Sequence, residues 1–315
     1  MFSIFITILP VFLIAGVGYF SAKTGYLSIE LSKHLNTFTI RLAIPVLVFN
    51  ALHDLNFTKA YNVPMLLGYY LGGLSCFVVG VFLAKKIWKR SNSEAVAVGF
   101  CALFSNTVLM GLPIVERAYG ADALAPVFAI ISLHVIILYT IGMIAMEIAK
   151  RDKGSKISSA FLKAGKSIIA NPLMWGAMSG IIFNVLNIPI AEPIEAALKL
   201  IAATGLPAAL IAMGISLTQY KIKSELSESL MVASLSLFLQ PVIALIITHY
   251  IFNAPPELAR TAIIVGAMPP GMNIYIFATI YKKAENLAAS ALLISTILSI
   301  FTISFWLWLL PQLGL

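Results

Sequence analysis

Charged and strongly polar residues are missing from long blocks of this chain and gather in short stretches between them. A helix needs about 20 predominantly apolar residues to cross the hydrocarbon core of a bilayer. Ten blocks meet that length, at residues 3–22, 34–52, 61–87, 94–116, 121–148, 167–187, 193–217, 227–251, 257–281 and 285–310. The pattern therefore predicts an all-α integral membrane protein of ten transmembrane helices. The longest connection is the basic stretch from Lys150 to Lys166, and no soluble domain fits between the spans.

Composition supports this and removes other classes. Of 315 residues 60% are apolar and 11% charged, with a mean hydropathy of +0.96. The charged share is less than half the ~25% of soluble domains, which excludes an ordinary cytosolic enzyme, a nucleic-acid module and a disordered chain. Cys76 and Cys101 both sit in apolar runs, so neither a disulfide framework nor a metal site is expected.

The net charge of +8 becomes informative once it is placed. Sixteen of the 21 basic residues lie in the connections that share one side, four (Lys59, Arg117, Lys199, Arg260) on the other, and Arg41 inside the second span. The positive-inside rule then puts both termini away from the cytoplasm; a bacterial cytoplasmic (inner) membrane is the expected location of such a multi-pass protein.

The two halves share punctuation. Pro10 and Pro172, Gly18 and Gly180, and Pro45 and Pro207 are each 162 residues apart, and Pro113 matches Pro269 or Pro270 at 156 or 157. This implies two five-helix repeats, 1–150 and 167–315, joined by a basic cytoplasmic linker at 151–166. Because five is odd, the second repeat is inverted. Secondary transporters use such repeats for alternating access and bind substrate near the midplane. Scaffold and transport domains are expected to mix helices from both repeats.

The fourth span contains Ser105-Asn106-Thr107-Val108-Leu109-Met110-Gly111-Leu112-Pro113, and the ninth Gly266-Ala267-Met268-Pro269-Pro270-Gly271-Met272-Asn273. Proline removes a backbone donor and glycine permits unwinding. Open backbone at membrane depth is tolerated only where it lines a cavity or is buried in protein. Two broken helices at matching repeat positions would aim half-helix N-termini at a common point, which suits a carboxylate. Asn106 and Asn273 add amide donors.

The segments 106–113 and 268–278, with Asn171-Pro172-Leu173 and the run 205–217, resemble the signatures of the auxin efflux carrier family over essentially the whole chain. That family includes plant PIN-type auxin carriers and bacterial malonate and malate permeases. The resemblance implies inverted repeats with crossed, broken helices four and nine, and elevator-type transport of organic anions. It also implies a substrate site at Asn106, Pro113, Pro269 and Pro270; Gly111, Gly271 and Asn273 join it from the broken-helix pattern. A sodium-coupled symporter of the related bile-acid type and a non-transporting solute receptor are the alternatives.

Two further polar residues are candidates. Arg41 is a formal cation inside a span, about one turn from its expected start, where it can either snorkel or contact substrate. His134, midway through the fifth span, is either a proton relay or a packing residue. An enzyme would need a convergent nucleophile–base pair or metal ligands, and the four histidines are scattered over separate regions. No cofactor is expected. The expected partners are a small carboxylate and the lipid bilayer, with no nucleic acid. The motifs Gly68-x-x-x-Gly72 and Gly176-x-x-x-Gly180 permit close helix packing and leave a homodimer open. Tyr69, Tyr70, Trp88, Trp306 and Trp308 read as interfacial or packing aromatics.

Overall fold

The computed structural model describes residues 2–150, 172–219 and 225–315. It is 84% helical. The elements are α1 (Phe2–Lys23), α2 (Ile29–His53), α3 (Phe57–Ala60), α4 (Val63–Lys86), α5 (Asn92–Leu103), α6 (Leu112–Tyr119), α7 (Leu124–Ala149), α8 (Pro172–Val185), α9 (Glu192–Leu217), α10 (Leu226–Ile251), α11 (Pro256–Gly266), α12 (Asn273–Tyr281) and α13 (Glu285–Gln312). Among the described residues seven helices are long and apolar enough to cross a membrane, and the apolar α5 and α8 are shorter. No β-strand occurs among them. This is a multi-pass membrane protein. The basic linker expected at 151–166 lies outside the described residues.

Local chemistry explains where helices begin. Asn62 caps α4 by accepting from the Met65 N–H at 3.0 Å, with a proline in the first turn. Ser91 and Glu94 form a reciprocal capping box at the start of α5. Four five- or six-residue stretches widen into π-helix: Thr39–Ala43 within α2, Thr107–Gly111 ahead of α6, and Leu235–Leu239 and Ile246–Ile251 within α10. Such turns accompany functional sites more often than chance.

The chain divides into two compact units. One comprises Met1–Ile8, Tyr61–Ala164 and Tyr220–Leu315; the other comprises Leu9–Ala60 and Gly165–Gln219. In the second unit α8 lies hard against α2. A side chain at Gly176 would collide with the Pro45 carbonyl, and one at Gly180 would come within 2.7 Å of the Phe49 carbonyl. The Asn184 amide donates to the carbonyls of His53 and Leu55. In the first unit α4 and α10 approach as closely, with the Gln240 carbonyl 2.8 Å from where a Gly72 Cβ would stand. Both glycine motifs are thus used in packing within the chain.

An ion cluster fastens the α4–α5 connection to α10. Arg90 donates to Glu228 at 2.7–3.3 Å and to Glu225 at 3.0 Å. The Glu228 side chain is 1% exposed and that of Arg90 22%. These hydrogen bonds, first those to Glu228, raise the Arg90 guanidinium further above its ordinary pKa, against the opposing effect of burial.

One sequence expectation needs correction and another is resolved. The second span starts at Ile29 rather than 34, so Arg41 lies roughly three turns into the helix rather than near its start. Tyr69 is wholly buried at 1% exposure. Trp306 is buried too, and its indole N–H donates to the Leu237 carbonyl at 2.9 Å. Of the interfacial and packing readings, packing is the one that holds for both. Their hydrogen-bonding ends are satisfied within the protein, so burial carries little penalty.

Candidate functional site

Helix α5 ends because its backbone bonds are diverted. The Thr107 N–H, which a continuing helix would offer to Leu103, goes to the Ser105 carbonyl at 2.9 Å. The Asn106 N–H, due to Ala102, instead reaches the Pro269 carbonyl at 2.8 Å, and the Gly271 N–H returns to Phe104 at 3.0 Å. Those two bonds form an antiparallel bridge centred on Ser105 and Pro270. The segments that follow α5 and α11 therefore meet as extended backbone one residue pair long. Pro269 has no N–H to return to Asn106, and the Phe104 N–H is spent on the Phe100 carbonyl, so the ladder goes no further.

Beyond the crossing each chain becomes helical again. The Asn106 side-chain oxygen accepts from the Leu109 N–H at 3.3 Å and caps the Thr107–Gly111 turn, which runs into α6. Its own carbonyl accepts from Met110 and Gly111. Pro113 falls in the first turn of α6, where a missing N–H costs little. Gly271 is held against Asn106: a Cβ there would lie 3.4 Å from the Asn106 Cα. Asn273 opens α12, and its side-chain oxygen accepts from the Tyr139 hydroxyl at 3.0 Å.

Behind the crossing lies a neutral hydrogen-bond hub. The Tyr69 hydroxyl contacts Ser105 Oγ at 2.6 Å, Thr107 Oγ1 at 2.9 Å and His134 Nδ1 at 3.0 Å. One donated and two accepted bonds use a phenol fully. The Phe104 ring stands edge-on to His134 at 4.5 Å, and Phe100 stacks on Phe277 at 3.8 Å, so aromatic carbon walls the region. Among the described residues Glu228 is the sole buried carboxylate, Lys and Arg having none buried. Partial charge at the crossing therefore comes from backbone dipoles and amides.

The structure brings Asn106, Gly111, Pro269, Pro270 and Gly271 together, with Pro113 just beyond and Asn273 at the start of α12. His134 joins them through Tyr69. Arg41 belongs to the other unit, where it is exposed within a π-helical stretch whose ends, Thr39 and Ala43, are buried. Sequence reasoning missed Tyr69 and Tyr139. The polar triplet Ser105-Asn106-Thr107 inside an apolar run was a local signal for the first; nothing near Tyr69 itself marks it.

The sequence pattern of the membrane transport protein family matches residues 3–307. The chain belongs to that family, the auxin efflux carriers. It is 26% identical over 309 residues to a Rhizobium meliloti (strain 1021) protein named "Putative malonate transporter", covering 96% of this chain and 94% of the relative. It is 24% identical over 307 residues to the "Uncharacterized transporter YfdV" of Escherichia coli (strain K12), covering 96% of each. It is 22% identical over 348 residues to "Auxin efflux carrier component 8" of Arabidopsis thaliana, covering 93% of each. These names indicate a membrane transporter rather than an enzyme.

Proposed function

We propose that this protein carries a small carboxylate across the cytoplasmic membrane by elevator-type alternating access, binding it at the crossing of the fourth and ninth spans. The observation that carries the reading is the antiparallel bridge with Asn106 and Asn273 at the starts of the two outgoing half-helices. Helix N-termini present unsatisfied N–H groups and partial positive charge, so they stabilise an anion without the desolvation cost of a buried lysine or arginine. Asn106, Gly111, Pro113, Pro269, Pro270, Gly271 and Asn273 form the site on this reading. The name of the Rhizobium meliloti relative supports a short dicarboxylate as the substrate class.

The architecture we adopt is ten spans in two inverted five-helix repeats, the fourth and ninth built from α5–α6 and α11–α12. Breaks at the same position in each half support it. The division of the chain into two units, each drawing on both halves of the sequence, supports one body that moves and one that does not. The charge bias supports termini facing away from the cytoplasm.

Counterflow tests the substrate class. Proteoliposomes loaded with unlabelled malonate should accumulate labelled malonate, with other short dicarboxylates competing better than amino acids or neutral analogues. Equal competition by neutral analogues would refute anion recognition.

A further inference from the structure

The crossing has a second side. The outgoing half-helices present N-termini, while the incoming ones, α5 and α11, end there in carbonyls at Leu103 and Gly266. We propose that these two helix C-termini, with the side chain of Gln240, form a binding site for a monovalent cation, for which sodium is the probe. The inference deepens the transport reading but concerns a different ligand and different residues.

Gln240 lies in α10 directly after a π-helical stretch and is 1% exposed, yet neither its amide oxygen nor its amide nitrogen has a hydrogen-bond partner in the protein. Burying an amide without partners is unfavourable, and buried amides are normally satisfied. Its surroundings are specific. A Cβ on Gly73 of α4 would stand 3.5 Å from Gln240 Nε2 and 3.4 Å from the Leu103 carbonyl oxygen. A Cβ on Gly266 would stand 3.8 Å from the same nitrogen and 3.9 Å from the amide carbon. The amide thus sits where α4 and the ends of both incoming half-helices meet. A turn about its last bond exchanges oxygen for nitrogen with the same neighbours.

The backbone there is also acceptor-rich. The Thr107 N–H, the helical partner of the Leu103 carbonyl, is bonded to Ser105. Proline at both 269 and 270 leaves the Gly266 carbonyl with no N–H three or four residues on. Helix C-termini carry partial negative charge, and unwound carbonyls at such ends coordinate small cations in other transporters. No carboxylate is among these donors, which disfavours a hard divalent ion and fits a single positive charge held by neutral oxygens. Glu228, on the same helix, is committed to Arg90.

The test needs no substrate. Thermal unfolding of the detergent-purified protein is followed while sodium chloride replaces choline chloride at constant ionic strength. The wild type should gain about 2–4 °C for each tenfold rise in sodium above half-saturation. Gln240→Leu should fold with an equal or higher melting temperature in choline, since an unpaired amide has been replaced by apolar volume, and should show no sodium increment. Gln240→Met, which keeps the side-chain length, should do the same. No sodium-specific shift in the wild type, or a shift that persists in both variants, overturns the proposal. A sodium shift without carboxylate counterflow would overturn the substrate reading and leave this site standing.

Discussion

Tyr69→Phe removes one oxygen atom and tests the hub behind the crossing. The hydroxyl makes three contacts, at 2.6, 2.9 and 3.0 Å, with Ser105, Thr107 and His134. The loss is not three times a single bond. Ser105 and Thr107 retain their mutual contact at 3.3 Å, and Thr107 also donates weakly to the Ser105 carbonyl at 3.4 Å. His134 fares worse, because its Nε2 has no partner and the variant removes the hydroxyl from Nδ1, leaving the ring only its interaction with the Ser105 backbone. A stranded buried group costs about 1–3 kcal/mol and a lost hydroxyl bond about 1 kcal/mol, so roughly 2–3 kcal/mol is expected. That corresponds to a melting temperature lower by roughly 4–12 °C. Tryptophan fluorescence during heating in detergent provides the readout. Because the two side chains share one bond, His134→Leu and Tyr69→Phe together should cost about 1 kcal/mol less than the sum of the single changes. A Tyr69→Phe protein that melts within about 1 °C of wild type, or a strictly additive pair, would refute the hub as a source of stability.

Three other outcomes follow from the same geometry. Gly271→Ala places its Cβ 3.4–3.6 Å from three Asn106 atoms, which is ordinary contact, so counterflow should survive; Gly271→Val must displace Asn106 and should lower it by about tenfold or more. Arg90→Gln leaves the 1%-exposed Glu228 carboxylate without its counterion and should cost about 3–5 kcal/mol, read as a large fall in melting temperature. The raised Arg90 pKa contributes stability that is complete below the ordinary guanidinium value and is lost only as pH rises through the still higher folded one, so a melting-temperature profile between about pH 6 and 9 should show no step from this group.

Hydropathy and proline–glycine spacing made the membrane class, the two breaks and the family legible, because each depends on local composition. What stayed hidden depends on contacts distant in sequence. Tyr69 is 36 residues from Ser105 and 65 from His134, and a tyrosine in an apolar helix looks the same whether its hydroxyl meets lipid headgroups or a buried serine. Gln240 is a single polar residue in an apolar block, and nothing near it in sequence points to the ends of α5 and α11 that lie beside it. The helix starts also eluded hydropathy. The segment Ile29–Phe38 carries Glu30, Lys33 and His34, so it scores as a connection although its backbone is helical and continuous with α2. That difference of a few residues moved Arg41 from the edge of a span to well inside one. Arg90 and Glu228 could be placed at span ends from sequence, but their pairing across 138 residues could not.

The central claim is that the crossing binds a carboxylate through neutral donors. Asn106→Asp tests it most directly, because aspartate preserves the shape and the helix cap while replacing the amide by a negative charge. At about 5 Å and an effective dielectric of about 20, repulsion between two carboxylates is roughly 3 kcal/mol, or about 200-fold in affinity. The account predicts that proteoliposomes with the wild type show malonate counterflow and that those with Asn106→Asp lose it by about two orders of magnitude, assayed below the melting temperature of the variant. Undiminished counterflow in a well-folded Asn106→Asp protein would contradict it.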